Sequence, residues 1–281
     1  RLSSTARLVA VTGSVGKTGT KEALRLVLSS QGRTHASVAS YNNHFGVRLT
    51  LARMPADTQF GVFEIGMNHA GEIAPLTLQV KPHVALITTV EAVHIENFPS
   101  VEAIADEKAA IFKGLVEGGT AVINRDNPHY ERMWTHASRS KAGRLLSFGE
   151  NPFADIRLAS LKMDADGSDI TAEINGLPLV YRLGSPGKHL ALNSLGILAV
   201  CLALGADLEA ASRALSDRAT DRQSAAQRCV HSVPCQHRVH EHDSAAARRA
   251  HARRCGNRKP DSQLRALECD GGTTRKDLWR L

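Results

Sequence analysis

Aromatic side chains are scarce in this chain of 281 residues: two Trp, three Tyr and seven Phe, 4% in all. No apolar run is long enough to span a membrane, and nothing near the start reads as a secretory signal. The expected compartment is therefore the cytosol, with no membrane partner. Cysteine is sparse too, at five residues, and no Cys-x-x-Cys pair occurs, so a zinc-ribbon framework has no basis. No internal repeat or low-complexity linker precedes residue 218. The first residue is Arg1, not Met, so the chain is expected to be a piece of a longer protein.

The net charge of +7 invites an acidic partner, but it is unevenly spread. Residues 219–281 hold 13 Lys/Arg against 7 Asp/Glu, while residues 1–218 are nearly balanced at 22 against 21. Of the 63 tail residues only 7 are Val, Ile, Leu, Met or Phe, too few to build a core. Three readings of the tail stay open. A disordered nucleic-acid-binding arm suits the charge, but Trp279 is its only ring for stacking, which disfavours nucleic acid as a partner. A zinc site could draw on Cys229, Cys235, His237, His240 and His242. A shifted reading frame would explain the excess of Arg, Ala, Ser, His and Cys. Cys201, by contrast, lies in an apolar helical run and reads as a buried core thiol.

Residues 1–218 alternate strand-like and helix-like runs, which predicts an α/β fold with a mostly parallel sheet and flanking helices. The expected strands are 7–12, 35–39, 60–65, 83–90, 119–124 and 144–149. The expected helices are 17–31, 45–53, 71–80, 100–116, 128–137, 189–204 and 207–216. Within 155–183 the alternation of Ile170–Ile174, the Asn175-Gly176 turn and the run Leu177–Leu183 predict a hairpin, a small antiparallel addition to the sheet.

The densest chemistry is at residues 8–22, LVAVTGSVGKTGTKE. A β-branched run stops at Gly13, a Gly-x-x-Gly-Lys-Thr loop follows, and a helix begins: the context of a phosphate-binding loop. Gly13 and Gly16 let backbone N–H groups approach phosphate oxygens, Ser14 lies between them, and the helix directs its positive end at the same point. Lys17 is placed for the β/γ-phosphates and Thr18 for Mg²⁺. The usual longer loop would have glycine at position 11, where Val11 stands.

Other candidates fall at the carboxyl ends of predicted strands, where ligands of open α/β sheets bind. Glu64 ends strand 60–65 and is placed to ligate Mg²⁺ or to act as a structural carboxylate. His94 follows strand 83–90. Lys108, fourteen residues on, lies in Asp106-Glu107-Lys108, which alone reads as a solvated helix face. Asn42 and Asn43 could orient an anion or cap helix 45–53. Asn124, with Asp126 after the fifth strand, and Gly187-Lys188-His189 with Asn193 could bond adenine or ribose, or cap helices.

In order, TGSVGKTGTKEAL, YNNHFGVRLTL, FEIGMNHAGEI, the His94-to-Lys108 spacing, INRDN and GKH…N at 187–193 resemble the central ATPase domain of the Mur ligases over residues 7–217. The resemblance implies that Gly13, Ser14, Gly16, Lys17 and Thr18 hold the phosphates of ATP. It implies that Thr18 and Glu64 hold Mg²⁺, and that His94 and Lys108 serve a second Mg²⁺, the lysine at a position carbamylated in several family members. Asn43 would sit near the phosphates and the acyl carboxylate. Asn124, His189 and Asn193 would place adenine and ribose. The style of the first and third motifs implies joining of D-alanyl-D-alanine to a UDP-N-acetylmuramoyl-tripeptide through an acyl phosphate, by a monomer.

A sister Mur ligase adding one amino acid, a folylpolyglutamate- or cyanophycin-synthetase-like ligase, and a nucleotide-binding module with a basic tail are the alternatives. The family's flanking domains have no counterpart in the motifs. The resemblance stops near Arg218, which sets an expected domain at 1–218 and a separate tail at 219–281. It favours the shifted frame and predicts weak ATP binding without ligation by this chain. Arg48 stands where the family usually has proline.

Overall fold

The computed structural model describes residues 5–217. The expectations for 219–281, including the zinc and disordered-arm readings, lie outside the described residues. Fifteen elements alternate as anticipated: β1 (Arg7–Thr12), α1 (Lys17–Ser29), β2 (Thr34–Ala36), α2 (His44–Ala52), β3 (Phe60–Glu64), α3 (Ile73–Val80), β4 (Val84–Ile87), α4 (Val101–Ala109), β5 (Gly119–Asn124), α5 (Tyr130–Ser138), β6 (Ala142–Gly149), β7 (Ile156–Met163), β8 (Ser168–Ile174), β9 (Leu177–Leu183) and α6 (Lys188–Leu204). A further helix covers 208–217.

The strands form one sheet in the order β2-β3-β1-β4-β5-β6-β7-β8-β9. Pairing is parallel from β2 through β7, then antiparallel for β7–β8 and β8–β9. Asn175 and Gly176 both take positive φ, 53° and 78°, as a type I′ turn requires. The antiparallel addition is thus a three-stranded extension, joined through β7 to the edge of the parallel sheet at Phe148–Ile156 and Gly149–Arg157.

Strand alternation divides the core into two layers. Val9, Val11, Val84, Leu86 and Val122 pack on one face with Leu24 and Leu28 of α1 and Leu198 of α6. Leu8, Ala10, Ala85, Ile87 and Ile123 pack on the other with Ile73 of α3, Ile104 of α4 and Met133 of α5. Helix α6 is apolar nearly all round because it is buried along most of its length. Cys201 is fully buried there and burial pushes its thiol pKa up to about 12, which fits an inert core thiol.

Three predicted elements end early. Strand 35–39 stops at Ala36, because the carbonyls of Ser37 and Ala39 turn toward the ammonium of Lys21. Strand 83–90 stops at Ile87. Thr88 donates its hydroxyl proton to Val15 O (2.7 Å), and Thr89 O accepts from Ser14 N (2.8 Å), so both serve the glycine loop. Helix 100–116 tightens into a 3₁₀ turn over Ala110–Gly114, where the Thr77 hydroxyl donates to Ile111 O at 2.8 Å. Arg48 is exposed and bonds Gln79 Oε1 at 3.0 Å, bridging α2 and α3.

Leu86 is fully buried in the central strand, whereas Leu177 at the start of β9 is 71% exposed. Leu86→Ala is expected to cost about 2–5 kcal/mol and Leu177→Ala at most about 0.5 kcal/mol, measured as urea unfolding free energies.

Candidate functional site

β1 sits between β3 and β4, so the connections from neighbouring strands diverge on either side of its carboxyl end and leave a crevice there. The glycine loop fills the strand-to-helix corner. Gly13 (φ 151°) and Gly16 (φ 85°) both occupy backbone that disfavours side chains, and a Cβ at Gly13 would lie 2.0 Å from Thr88 Oγ1. Ser14 reinforces the corner: its Oγ donates to Glu91 O (3.0 Å) and accepts from Glu91 N (2.9 Å). The first amides of α1 lack intrahelical acceptors and face the crevice mouth with the positive helix end.

Lys17 Nζ donates to Gly13 O at 2.8 Å and Ser14 O at 3.4 Å. Burial lowers its pKa, partly opposed by the charge of Glu64. Glu64 is 1% exposed at the end of β3. Its Oε1 accepts from the Thr18 hydroxyl (3.2 Å) and from Asn42 Nδ2 (2.8 Å), while its backbone N–H donates to Ser37 Oγ (3.3 Å). Its Oε2 is buried and makes no hydrogen bond among the described residues. A buried carboxylate oxygen without a donor is costly, and a cation relieves that cost.

A polar cavity of about 110 Å³ lies nearby; Glu64 does not line it but is joined to its wall through Asn42. Lys17, Asn43, His94 and Lys108 all line it, with Gly13 and Asn42. Asn43 caps α2, its Oδ1 accepting from Phe45 N (3.1 Å) and Gly46 N (3.0 Å), so the capping use and a place at the cavity coexist. His94 takes a left-handed backbone, φ 62°, a region in which histidine is one of the better-tolerated non-glycine residues, and lies 3.8 Å from Glu96.

The helix around Lys108 is not the solvated face that its local sequence resembles. Lys108 is 3% exposed. Burial, then the neighbouring charge of Lys17, lower its pKa to about 7, with Glu107 opposing. Glu107 turns to the 67–72 loop, accepting from Gly71 N (2.9 Å) and Ile73 N (2.8 Å). Asp106 binds Arg132 and His136. All three polar residues are therefore committed to tertiary contacts, which a helical wheel cannot show.

A second, largely apolar cavity of about 280 Å³ opens on the other side of the loop. Val15, Gly16, Ala23 and Ile197 line it together with His189 and Asn193. An apolar slot with few polar groups beside a phosphate loop suits a nucleoside. Asn124 lines neither cavity. Its Nδ2 donates to Thr88 O (3.2 Å) and its Oδ1 accepts from Asp126 N (2.9 Å), so its amide fixes the turn after β5. The residues thus separate into a phosphate end, a cation-facing carboxylate and a base-sized slot. They fit a nucleoside triphosphate with Mg²⁺, which favours one or two carboxylates plus substrate phosphates.

Residues 11–201 match the Mur ligase middle domain. The chain belongs to the Mur ligase family. Among its relatives is the UDP-N-acetylmuramoyl-tripeptide–D-alanyl-D-alanine ligase of Rickettsia prowazekii (strain Madrid E), 35% identical, with 77% of this chain matched to 48% of that one. The MurF crystal structure from Acinetobacter baumannii superposes with a TM-score of 0.72 at 28% identity, covering 76% of this chain and 46% of that one. The MurF ligase of Thermotoga maritima, solved in complex with ADP, gives 0.66 at 25% identity, covering 76% and 48%. The chain spans about half the length of the curated relatives it matches. No helix among the described residues is long and apolar enough to cross a membrane.

Two contributors were not legible beforehand: Lys21, buried one turn beyond the glycine loop, and Glu107. The polar Asp-Glu-Lys run hid the second. For Lys21 the available signal was its place on the apolar stripe of α1, with Leu24 and Leu28.

The Lys108 shift has a definite sign. Its folded pKa of about 7 lies below the ordinary 10.5, so between those values the unfolded chain holds a proton that the folded chain does not. The penalty on folding is complete below pH 7 and is relieved as pH rises toward 10.5. Lys108→Met is therefore expected to gain stability over the parent at about pH 6.5, with the gain shrinking at about pH 9.5, in urea unfolding at the two pH values.

Proposed function

We propose that this chain supplies the ATP-binding middle part of a ligase that joins D-alanyl-D-alanine to a UDP-N-acetylmuramoyl-tripeptide. The observation that carries the reading is the convergence of Lys17, His94 and Lys108 on one polar cavity, with the buried, undonated carboxylate oxygen of Glu64 close to Lys17, in a member of the Mur ligase family. Relatives and structural neighbours that bear this ligase's name, and the ADP complex of one neighbour, support the choice of substrates and nucleotide.

In the proposed reaction a peptide carboxylate oxygen attacks the γ-phosphorus and ADP leaves. The dipeptide amine then attacks the acyl phosphate carbonyl, phosphate departs, and the amine gives up a proton. Two anions meet in the first step, and negative charge builds on the carbonyl oxygen and the departing phosphate in the second, so cationic side chains must offset that charge. Lys17 and the α1 amides cradle the phosphates. Mg²⁺, held by Thr18 and Glu64, supplies charge neutralisation of the phosphate oxygens when bound. Asn43 orients oxygens of phosphate or acyl carboxylate, and His94 lines the same cavity. A lysine titrating near neutrality is substantially an uncharged amine at pH 7, the form that adds CO₂. We assign Lys108 that role: its Nζ lone pair bonds the CO₂ carbon, a proton is released, and a carbamate replaces the cation. That anion, with His94, would serve a second Mg²⁺. His189 and Asn193 flank the nucleoside slot, and Asn124 contributes from behind by fixing the β5 turn. The expected domain, residues 1–218, is the unit that performs this binding.

The reading predicts that the chain binds the non-hydrolysable analogue AMP-PNP in the presence of Mg²⁺, by isothermal titration. Lys17→Met should weaken that binding by about ten- to a hundredfold, the worth of a charge-assisted bond, without loss of the folded circular dichroism spectrum. Equal affinity in the variant contradicts the assignment. Given UDP-N-acetylmuramoyl-tripeptide and D-alanyl-D-alanine, this chain alone is expected to release no ADP; full turnover would contradict the reading of it as only the nucleotide-binding part of the ligase.

A further inference from the structure

Lys21 is a fully buried lysine, among the larger fully buried side chains of the described residues, and it lies outside the cavities described above. Its ammonium has three N–H donors and three acceptors: Ser37 O at 2.8 Å, Ala39 O, and Glu22 Oε1 at 2.8 Å. Two of those partners belong to the loop between β2 and α2. In that loop Ala39 holds a left-handed backbone, φ 47°, which is unfavourable for a residue with a Cβ. The loop does not persist there for packing reasons, since Val38 is 61% and Tyr41 48% exposed.

The same loop touches Glu64 twice. Ser37 Oγ accepts from the Glu64 backbone N–H, and Asn42 Nδ2 donates to Glu64 Oε1. Asn42 is fixed further by its own carbonyl, which accepts from Gly66 N at 2.9 Å. Glu64 Oε1 also accepts from Thr18, three residues before Lys21 on the same helix. The contacts close a ring: Thr18 to Glu64, Glu64 to Asn42 and Ser37, the loop backbone to Lys21, and Lys21 back along α1 to Thr18. Helix, loop and strand thereby hold one oxygen of the carboxylate and leave Oε2 without a donor.

We propose that Lys21 is a positioning residue: by clasping the Ser37 and Ala39 carbonyls it holds Asn42 and Ser37 against Glu64, so that the free carboxylate oxygen is presented to a divalent cation beside the glycine loop. The inference rests on the Mg²⁺-nucleotide reading of that site. Lys21 touches neither nucleotide nor cation and acts only through the loop. Partners that orient a metal-binding group typically govern metal affinity by an order of magnitude or more.

The test uses the full 281-residue chain and titrates AMP-PNP binding against Mg²⁺ and, separately, in EDTA. The parent should bind with a clear Mg²⁺ midpoint; a parent that binds no nucleotide overturns the proposed function itself, and this inference with it. Lys21→Met should raise the Mg²⁺ midpoint by about tenfold while affinity in EDTA changes by less than about twofold. In an Asn42→Ala/Ser37→Ala background the same substitution should add less than about twofold, because Lys21 acts only through those two residues. An unchanged midpoint, equal losses with and without Mg²⁺, or additive effects would each overturn the proposal with the parent's binding intact. If Lys21→Met does not fold, Ser37→Ala decides. It should raise the midpoint by at least about threefold, and an unchanged midpoint overturns the inference.

Discussion

A carboxylate buried at the end of β3 is the constraint around which the crevice is organised. Glu64 is 1% exposed, and a carboxyl group removed from water must be given donors or a cation. One oxygen has two donors, Thr18 from α1 and Asn42 from the β2–α2 loop, and the other has none among the described residues. Meeting that need draws three segments together: α1, the end of β3, and a loop whose backbone is unfavourable without its clasp. The early end of β2, the left-handed Ala39 and the buried Lys21 all lie in the segments that meet at this carboxylate.

The electrostatics complement this. Lys17 and Lys108 face one small cavity, and each is pushed toward its neutral form by burial, with their mutual repulsion adding to the effect on Lys108. A site that crowds two lysines and a helix N-terminus around a desolvated space binds anions readily. Phosphate oxygens would supply negative charge beyond that of Glu72, which also lines the cavity, and a carbamate on Lys108 would reverse its sign. The apolar slot on the far side of the glycine loop needs no charge, and its lining of Val15, Ala23 and Ile197 reflects that.

Much of the architecture could be read from the sequence because β-strand and helix periodicities are strong between residues 7 and 204. Buried parallel strands give continuous apolar runs, and Asn175-Gly176 fixes its hairpin by backbone chemistry alone. The misjudged ends share one cause. Ser37, Ala39, Thr88 and Ile111 have backbone or side-chain groups captured by residues distant in sequence, and local propensity carries no information about such capture. The site divides in the same way. The glycine loop, Glu64 and His94 stood out because strand ends in this topology are ligand-facing. Lys108 looked solvated beside Asp106 and Glu107, and only the packing of α4 against α5 and the 67–72 loop buries it. Asn124 carried the right chemistry for a nucleotide contact, yet its amide is spent on the turn that follows its strand.

The central claim is that Glu64, fixed on one side by Thr18 and Asn42, offers its other oxygen to the cation of a bound nucleotide. Crystals of the chain grown with AMP-PNP and Mn²⁺ in place of Mg²⁺ test it most directly through the anomalous signal of the metal. The account predicts a strong peak between Glu64 Oε2 and the nucleotide phosphates, with the Thr18 hydroxyl alongside, whether or not a second peak forms beside His94 and Lys108. A peak on the phosphates alone, away from Glu64, or nucleotide bound with no metal near β3, would contradict it.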